Sequence, residues 1–127
     1  MSLFSLLCEF IVQTYKLYGM FLIVSKYLIP KKYRGLTFFP FIIIRENYDK
    51  SNKVLLNHEK IHIRQQLELL ILPFYIWYFL DFLIKTIRYK DSNKAYRNII
   101  FEREAYANEK DLGYLKSRSF WKFLQYM

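Results

Sequence analysis

Leu56-Asn57-His58-Glu59-Lys60-Ile61-His62-Ile63-Arg64-Gln65-Gln66 sets two histidines four residues apart, and they are the only two in 127 residues. In a helix this spacing brings both imidazoles to one face, one turn apart. Two imidazoles so placed can grip one metal ion, and Glu59, beside the first of them, can reach a water held by that ion. The neighbours support a helix. At 100° per residue, Lys53, Asn57, Lys60, Arg64 and Glu68 share one polar arc. His58, His62, Leu55, Leu69, Gln65 and Gln66 lie opposite, with Glu59 beside them. The histidines thus belong to the inward face, and the charged arc is expected to meet water.

Working outward toward the N-terminus, Glu46–Asn52 is polar and turn-prone, and Asp49, Ser51 or Asn52 can cap the histidine helix. Before it, Leu36–Arg45 (LTFFPFIIIR) is the one convincing strand, rich in Phe, Ile and Thr. Pro40 cannot donate a ladder hydrogen bond, which places the strand at an edge or gives it a bulge. Residues 3–29 are expected to be helical, with Leu3, Leu6, Leu7, Phe10, Ile11, Thr14, Tyr18 and Phe21 on a recurring stripe. Glu9, Gln13 and Lys16 interrupt that stripe too often for a clean membrane span. Pro30, Lys31, Lys32 and Gly35 then form a break. The opening residues lack a basic start and carry Glu9 within the apolar run, so secretion is not expected.

Toward the C-terminus, Leu67–Ile84 (LELLILPFYIWYFLDFLI) is an apolar helix that Pro73 should kink or restart. Its charge-free part, Leu69–Leu80, is short against the ~20 residues of a membrane span. Lys85, Arg88 and Lys90 follow as they would at a lipid headgroup boundary. A buried helix and a membrane-embedded one are both open on this reading. Asp91–Lys94 reads as a loop. Ala95–Tyr114 reads as a second amphipathic helix ending near Gly113, and Ser117 or Ser119 as the cap of a short last helix with Phe120, Trp121, Phe123 and Leu124.

Composition bounds the rest. Apolar residues make up 54% and aromatics 20%, with only 3 Gly and 3 Pro, which excludes disorder and favours long helices. One domain, 1–127, is expected, α+β and mostly helical. The lone Cys8 excludes an internal disulfide. The net charge of +9 is strewn along the chain without a basic run, so nucleic acid is not an expected partner. Basic charge among so many aromatics suits an anionic membrane surface better, on the cytoplasmic side, with the chain membrane-associated or membrane-embedded.

A catalytic zinc site takes three protein ligands and leaves one position open. Without a third histidine, the remaining ligand is a carboxylate or Cys8. Carboxylates cluster in Glu102, Glu104 and Glu109. On a helix Glu102 shares a face with Phe101, Ala105, Tyr106, Glu109 and Leu112, while Glu104 points about 160° away. A carboxylate within an apolar face needs a compensating partner, and a zinc ion would be one. Glu109, on the same face as Glu102, is the second choice.

HExxH followed by Glu102-x-Glu104-Ala105-Tyr106 resembles the gluzincin class of zinc metallopeptidases, including its small bacterial and membrane-associated members. The resemblance implies a minimal zincin-like helical domain with one edge strand or hairpin before the HExxH helix. It implies His58, His62 and Glu102 as zinc ligands and Glu59 as general base. It also implies a protein or peptide substrate lying along the Leu36–Arg45 edge. Tyr106 stands where many relatives have an aspartate that supports a histidine, and Glu109 is placed to take that supporting role. An oxyanion donor is required, with Tyr106, Tyr96 and Arg97 as candidates. Two other readings stay open: a zinc-binding regulatory or interaction protein of the same fold that no longer cleaves, and a membrane-interfacial helical protein with an accidental HExxH.

Overall fold

The computed structural model describes residues 2, 3, 5, 6 and 20–127. It is α+β and mostly helical: a three-stranded sheet, β1 (Phe21–Val24), β2 (Gly35–Phe38) and β3 (Phe41–Ile44), is followed by helices α1 (Lys53–Glu68), α2 (Leu72–Tyr89), α3 (Ser92–Arg97), α4 (Ile100–Asn108) and α5 (Tyr114–Ser117). Short 3-10 turns, Asn47–Ser51 and Lys122–Tyr126, precede α1 and close the chain.

The expected single strand is two. Leu36–Arg45 folds back at Phe39–Pro40, joined by a cis peptide bond. β2 and β3 are therefore an antiparallel hairpin, with Gly35 opposite Ile44 and Phe38 opposite Phe41. Pro40 sits in the turn, where its missing N–H costs nothing, rather than within an edge strand or bulge. Part of the expected N-terminal helix is also corrected: Phe21–Val24 is β1, parallel to β3, giving the order β1-β3-β2. Residues 4 and 7–19 of that expectation lie outside the described residues. A four-residue apolar run such as Phe-Leu-Ile-Val carries no period that separates helix from strand, and the long-range pairing decides it.

Helix α1 is capped by Asn52, whose side chain accepts from Leu55 N at 3.0 Å. It is covered on more sides than its pattern implied. Asn57 and Glu68, expected on the solvent arc, are buried. The segment after α4 packs over Asn57, which donates to the carbonyls of Glu109 and Asp111 at 2.8 and 2.9 Å. Glu68 meets Arg118 from the C-terminal segment.

The apolar helix restarts rather than kinks. Leu70 and Ile71 adopt φ of 62° and 63°, and Pro73 occupies the first turn of α2, where no intrahelical donor is needed. α1 and α2 meet at 114°, and no single helix among the described residues is long and apolar enough to cross a membrane.

The expected Ala95–Tyr114 helix is three pieces. Asp91, in the expected loop, caps α3 by accepting from Asn93 N and Lys94 N. Asn98 and Ile99 then break the helix, because α2 holds the break from outside. Lys85 donates to Asn98 O, and Asp81 accepts from Ile100 N at 2.8 Å. α4 ends at Asn108, and Gly113 precedes α5 instead of terminating a helix. No serine caps the last turn, which is preceded by Trp121 at φ 58°.

The core lies where α2, α4 and the last turn meet, around Phe74, Phe101 and Phe123. Phe101 packs on Phe74 and Phe123 with centroids 4.6 and 5.1 Å apart. Truncating a buried Phe of this kind to Ala costs about 3–5 kcal/mol. A second buried cluster, Ile61, Ala105 and Tyr114, packs α4 against α1, and that pairing builds the site.

Candidate metal centre

His58, Glu59 and His62 occupy consecutive turns of α1 and are all buried; Glu102 reaches them from the first turn of α4. His58 Nε2 lies 3.1 Å from Glu102 Oε2, His62 Nε2 lies 3.0 Å from Glu102 Oε1, and the two Nε2 atoms are 3.1 Å apart. The ligand atoms of the three residues all fall within 4.8 Å of one another, and the group could hold a metal ion.

The outer ring nitrogens decide what the inner ones offer. Gln65 donates its amide to Phe101 O and Glu104 Oε2, both at 3.1 Å. Its Oε1 therefore faces His62 Nδ1, 2.8 Å away, and accepts from it. His58 Nδ1 donates likewise to Glu109 Oε2 at 2.7 Å. With both Nδ1 atoms carrying their protons, each neutral ring turns a bare Nε2 lone pair toward the other and toward a carboxylate. Three acceptors converge, and among the described residues no Lys or Arg pairs with Glu102. Only a proton or a cation resolves this. The donor set, two imidazoles and one carboxylate, each ring oriented by an outer acceptor, fits a divalent metal.

Titration follows the same geometry. Burial disfavours a charged His62, but the Glu102 carboxylate beside it outweighs burial and lifts its pKa to about 9. Burial raises Glu102, and the imidazoles reverse this, His62 foremost, holding it below the usual carboxylate range. Tyr78, which donates to Glu102 Oε1 at 2.9 Å, is pushed up by burial and then by Glu102. Burial pushes the Glu59 carboxyl above its ordinary value, with the two histidines pulling the other way.

Glu59 makes no hydrogen bond to a side chain among the described residues and faces a cavity of about 250 Å³ shared with His62, Glu102, Thr37, Tyr75 and Tyr96. Its room comes from Gly35. A Cβ there would collide with Glu59 Oε1 and lie 2.9 Å from its carboxyl carbon. The free edge of β2 borders this cavity but is partly occupied. Gln66 donates to Thr37 O at 3.1 Å and accepts from Phe39 N at 2.8 Å, and Tyr75 also donates to Thr37 O.

The residues singled out in the sequence are thus brought together: His58, His62 and Glu102 at one point, Glu59 beside them, Glu109 on His58. Tyr106 packs its ring edge-on against His58, centroids 4.7 Å apart, and Arg97 lies over Tyr106. Of the three oxyanion candidates, only Tyr96 lines the cavity with Glu59 and His62; Tyr106 and Arg97 line a neighbouring hollow. Cys8 lies outside the described residues, and Glu104 faces away toward Arg118. Gln65, Gly35, Tyr78 and Arg118 were missed as site residues. Gln65 left a signal, because it shares the inward face of the histidine helix three residues after His62; the others become visible only in three dimensions. Comparisons with protein-family models, with curated proteins and with solved structures find no match to this chain.

Proposed function

We propose that this chain is a zinc metallopeptidase with a zincin-like site, His58, His62 and Glu102 holding the ion and Glu59 acting as general base. The observation that carries this reading is the convergence of two imidazole nitrogens and a carboxylate, buried and with no Lys or Arg beside them among the described residues, next to an uncommitted carboxylate at a cavity. When bound, zinc would supply Lewis acidity toward a water and the scissile carbonyl.

The chain's residues supply the rest. Glu109 and Gln65 hold the two rings in the tautomer whose Nε2 can ligate. Glu59 takes a proton from the attacking water and returns it to the leaving amine. A carboxyl whose pKa burial has raised suits both steps, because it holds the proton long enough to deliver it. Gly35 keeps the backbone of β2 close to Glu59. A peptide pairing with the β2 edge would use the backbone at Gly35, since Thr37 O and Phe39 N already have partners.

Glu59→Gln tests the reading. The variant should keep its zinc and its fold while cleavage of an unstructured peptide mixture falls by roughly 10²–10⁴-fold. Zinc bound stoichiometrically with no cleavage by the wild type would reject the peptidase assignment and leave a metal-binding module.

A further inference from the structure

Helix α2 wears its polarity inside out. At 100° per residue its exposed arc runs through Leu72, Ile76, Phe79, Leu80, Leu83 and Ile87, and contains no charged residue. Its charged residues within the core-facing half, Asp81 and Lys85, pair at 3.1 Å and hold the start of α4 and the end of α3. A helix on a water-facing surface has the opposite arrangement, charges out and leucines in. Here Phe74 is the one fully covered residue of eighteen, while Ile76, Phe79 and Ile87 are each more than half exposed.

The borders of the arc identify what covers it. Trp77 stands along one side with Ile76, Leu80 and Ile84, and Tyr89 near the C-terminal end, both aromatic rings with a polar tip, the residue types that favour the boundary between acyl chains and headgroups. At its C-terminal end Arg88, Lys90 and Lys94 are exposed, with Lys94 Nζ 4.7 Å from the Tyr89 ring. Helices that pair with a second copy often set their partner with flanking charges of both signs; the exposed charges at the end of this arc, Arg88, Lys90 and Lys94, are all basic and match an anionic surface instead. The whole chain is +9. Phe38, exposed on the hairpin, stacks on Tyr75 at 5.5 Å and continues the apolar surface beyond the helix. At ~1.5 Å per residue the helix is about 27 Å long, enough for a broad contact in the plane of a leaflet.

We infer that α2 is an interfacial membrane-docking helix that lays its uncharged arc into the acyl boundary of an anionic bilayer, with Arg88, Lys90 and Lys94 at the headgroups. The opposite side of the same helix supplies Phe74, Tyr78 and Phe82 to the cavity that holds Glu59. Docking therefore sets that cavity beside the membrane surface. On the peptidase reading, the substrates are peptides already bound to the bilayer; the docking itself does not depend on that reading.

Vesicle flotation of the full chain tests it, with phosphatidylcholine vesicles and with the same vesicles containing phosphatidylglycerol, each with and without chelator. Wild type should float with the anionic vesicles regardless of chelator, so a failure of the metal site leaves this result intact. Ile76→Glu combined with Leu83→Glu should weaken binding by at least ~10-fold, with circular dichroism unchanged. Arg88→Glu with Lys90→Glu should weaken it by roughly 5-fold per charge, an effect that high salt removes. Leu112→Glu, at an exposed leucine off the arc, should change nothing. Absence of binding by folded wild type overturns the inference, as does binding that ignores both arc substitutions. A dimer in buffer that Ile76→Glu splits while vesicle binding persists would assign the arc to a second copy and overturn it too.

Discussion

Two buried acidic clusters lie side by side between α1 and α4, and they are neutralised in opposite ways. Glu104 and Glu68 enclose Arg118, whose side chain is fully buried; it pairs with Glu104 through Nε and Nη2 and with Glu68 through Nη1 at 2.9 Å. Glu104 also accepts from Tyr114 and Gln65, and Glu68 from Trp121 N at 2.9 Å. Glu102, two residues earlier on the same helix, meets two histidines and a tyrosine and no arginine or lysine among the described residues. The chain gives one cluster a permanent cation, an arginine, and gives the other only imidazoles, which are cationic only when protonated. Burying carboxylates without a counter-charge is costly; on the proposed reading the second cluster meets that cost with a cation from outside, which replaces a proton on His62. Gln65 links the two, bonded to Glu104 at one end and to His62 at the other.

The contrast can be broken from its arginine side first. Arg118→Met should strand Glu68 and Glu104 and cost about 3–5 kcal/mol of folding stability, read by urea denaturation, and added zinc should not restore it. On the peptidase reading, Gly35→Ala, which crowds Glu59 from the β2 side, should lower kcat/KM by about 10²-fold with zinc still bound, because small displacements of a general base are expensive. Glu109→Ala removes the acceptor on His58 Nδ1 and should weaken zinc binding by roughly 10–100-fold, measured by competition with a chromophoric chelator.

The pH dependence sharpens the comparison further. A proton and a metal compete for His62 Nε2, so zinc affinity should fall by about tenfold for each pH unit below about 9. In the metal-free protein the sign is opposite. His62 has a folded pKa above its ordinary value of 6.5, so its contribution to stability is fully present below 6.5 and is lost as pH rises through about 9. Chelated protein should therefore lose stability across that window, and zinc-loaded protein should not show this loss.

Much of the histidine–glutamate cluster was legible in the sequence because its information is local. His58 and His62 are one turn apart, and the choice of Glu102 over Glu104 needs only 100° per residue within one helix. That projection survives the shortening of the expected Ala95–Tyr114 helix, since both residues fall inside α4. The arginine cluster was not legible. Glu68 reads as part of a solvent arc until Arg118, fifty residues on, folds over it. Gly35 reads as a loop breaker until Glu59 is seen against it. β1 hides because four apolar residues carry no period, and the hairpin hides because Pro40 can end a strand or merely disturb it. Projection tells which residues share a face; it does not tell what the rest of the chain lays on that face.

The most direct test of the contrast uses two isosteric changes two residues apart, Glu102→Gln and Glu104→Gln, with zinc measured by elemental mass spectrometry after reconstitution and gel filtration. The account predicts about one zinc per chain in wild type and in Glu104→Gln, and little or none in Glu102→Gln. Wild type without zinc, or zinc retained equally by both variants, would contradict it.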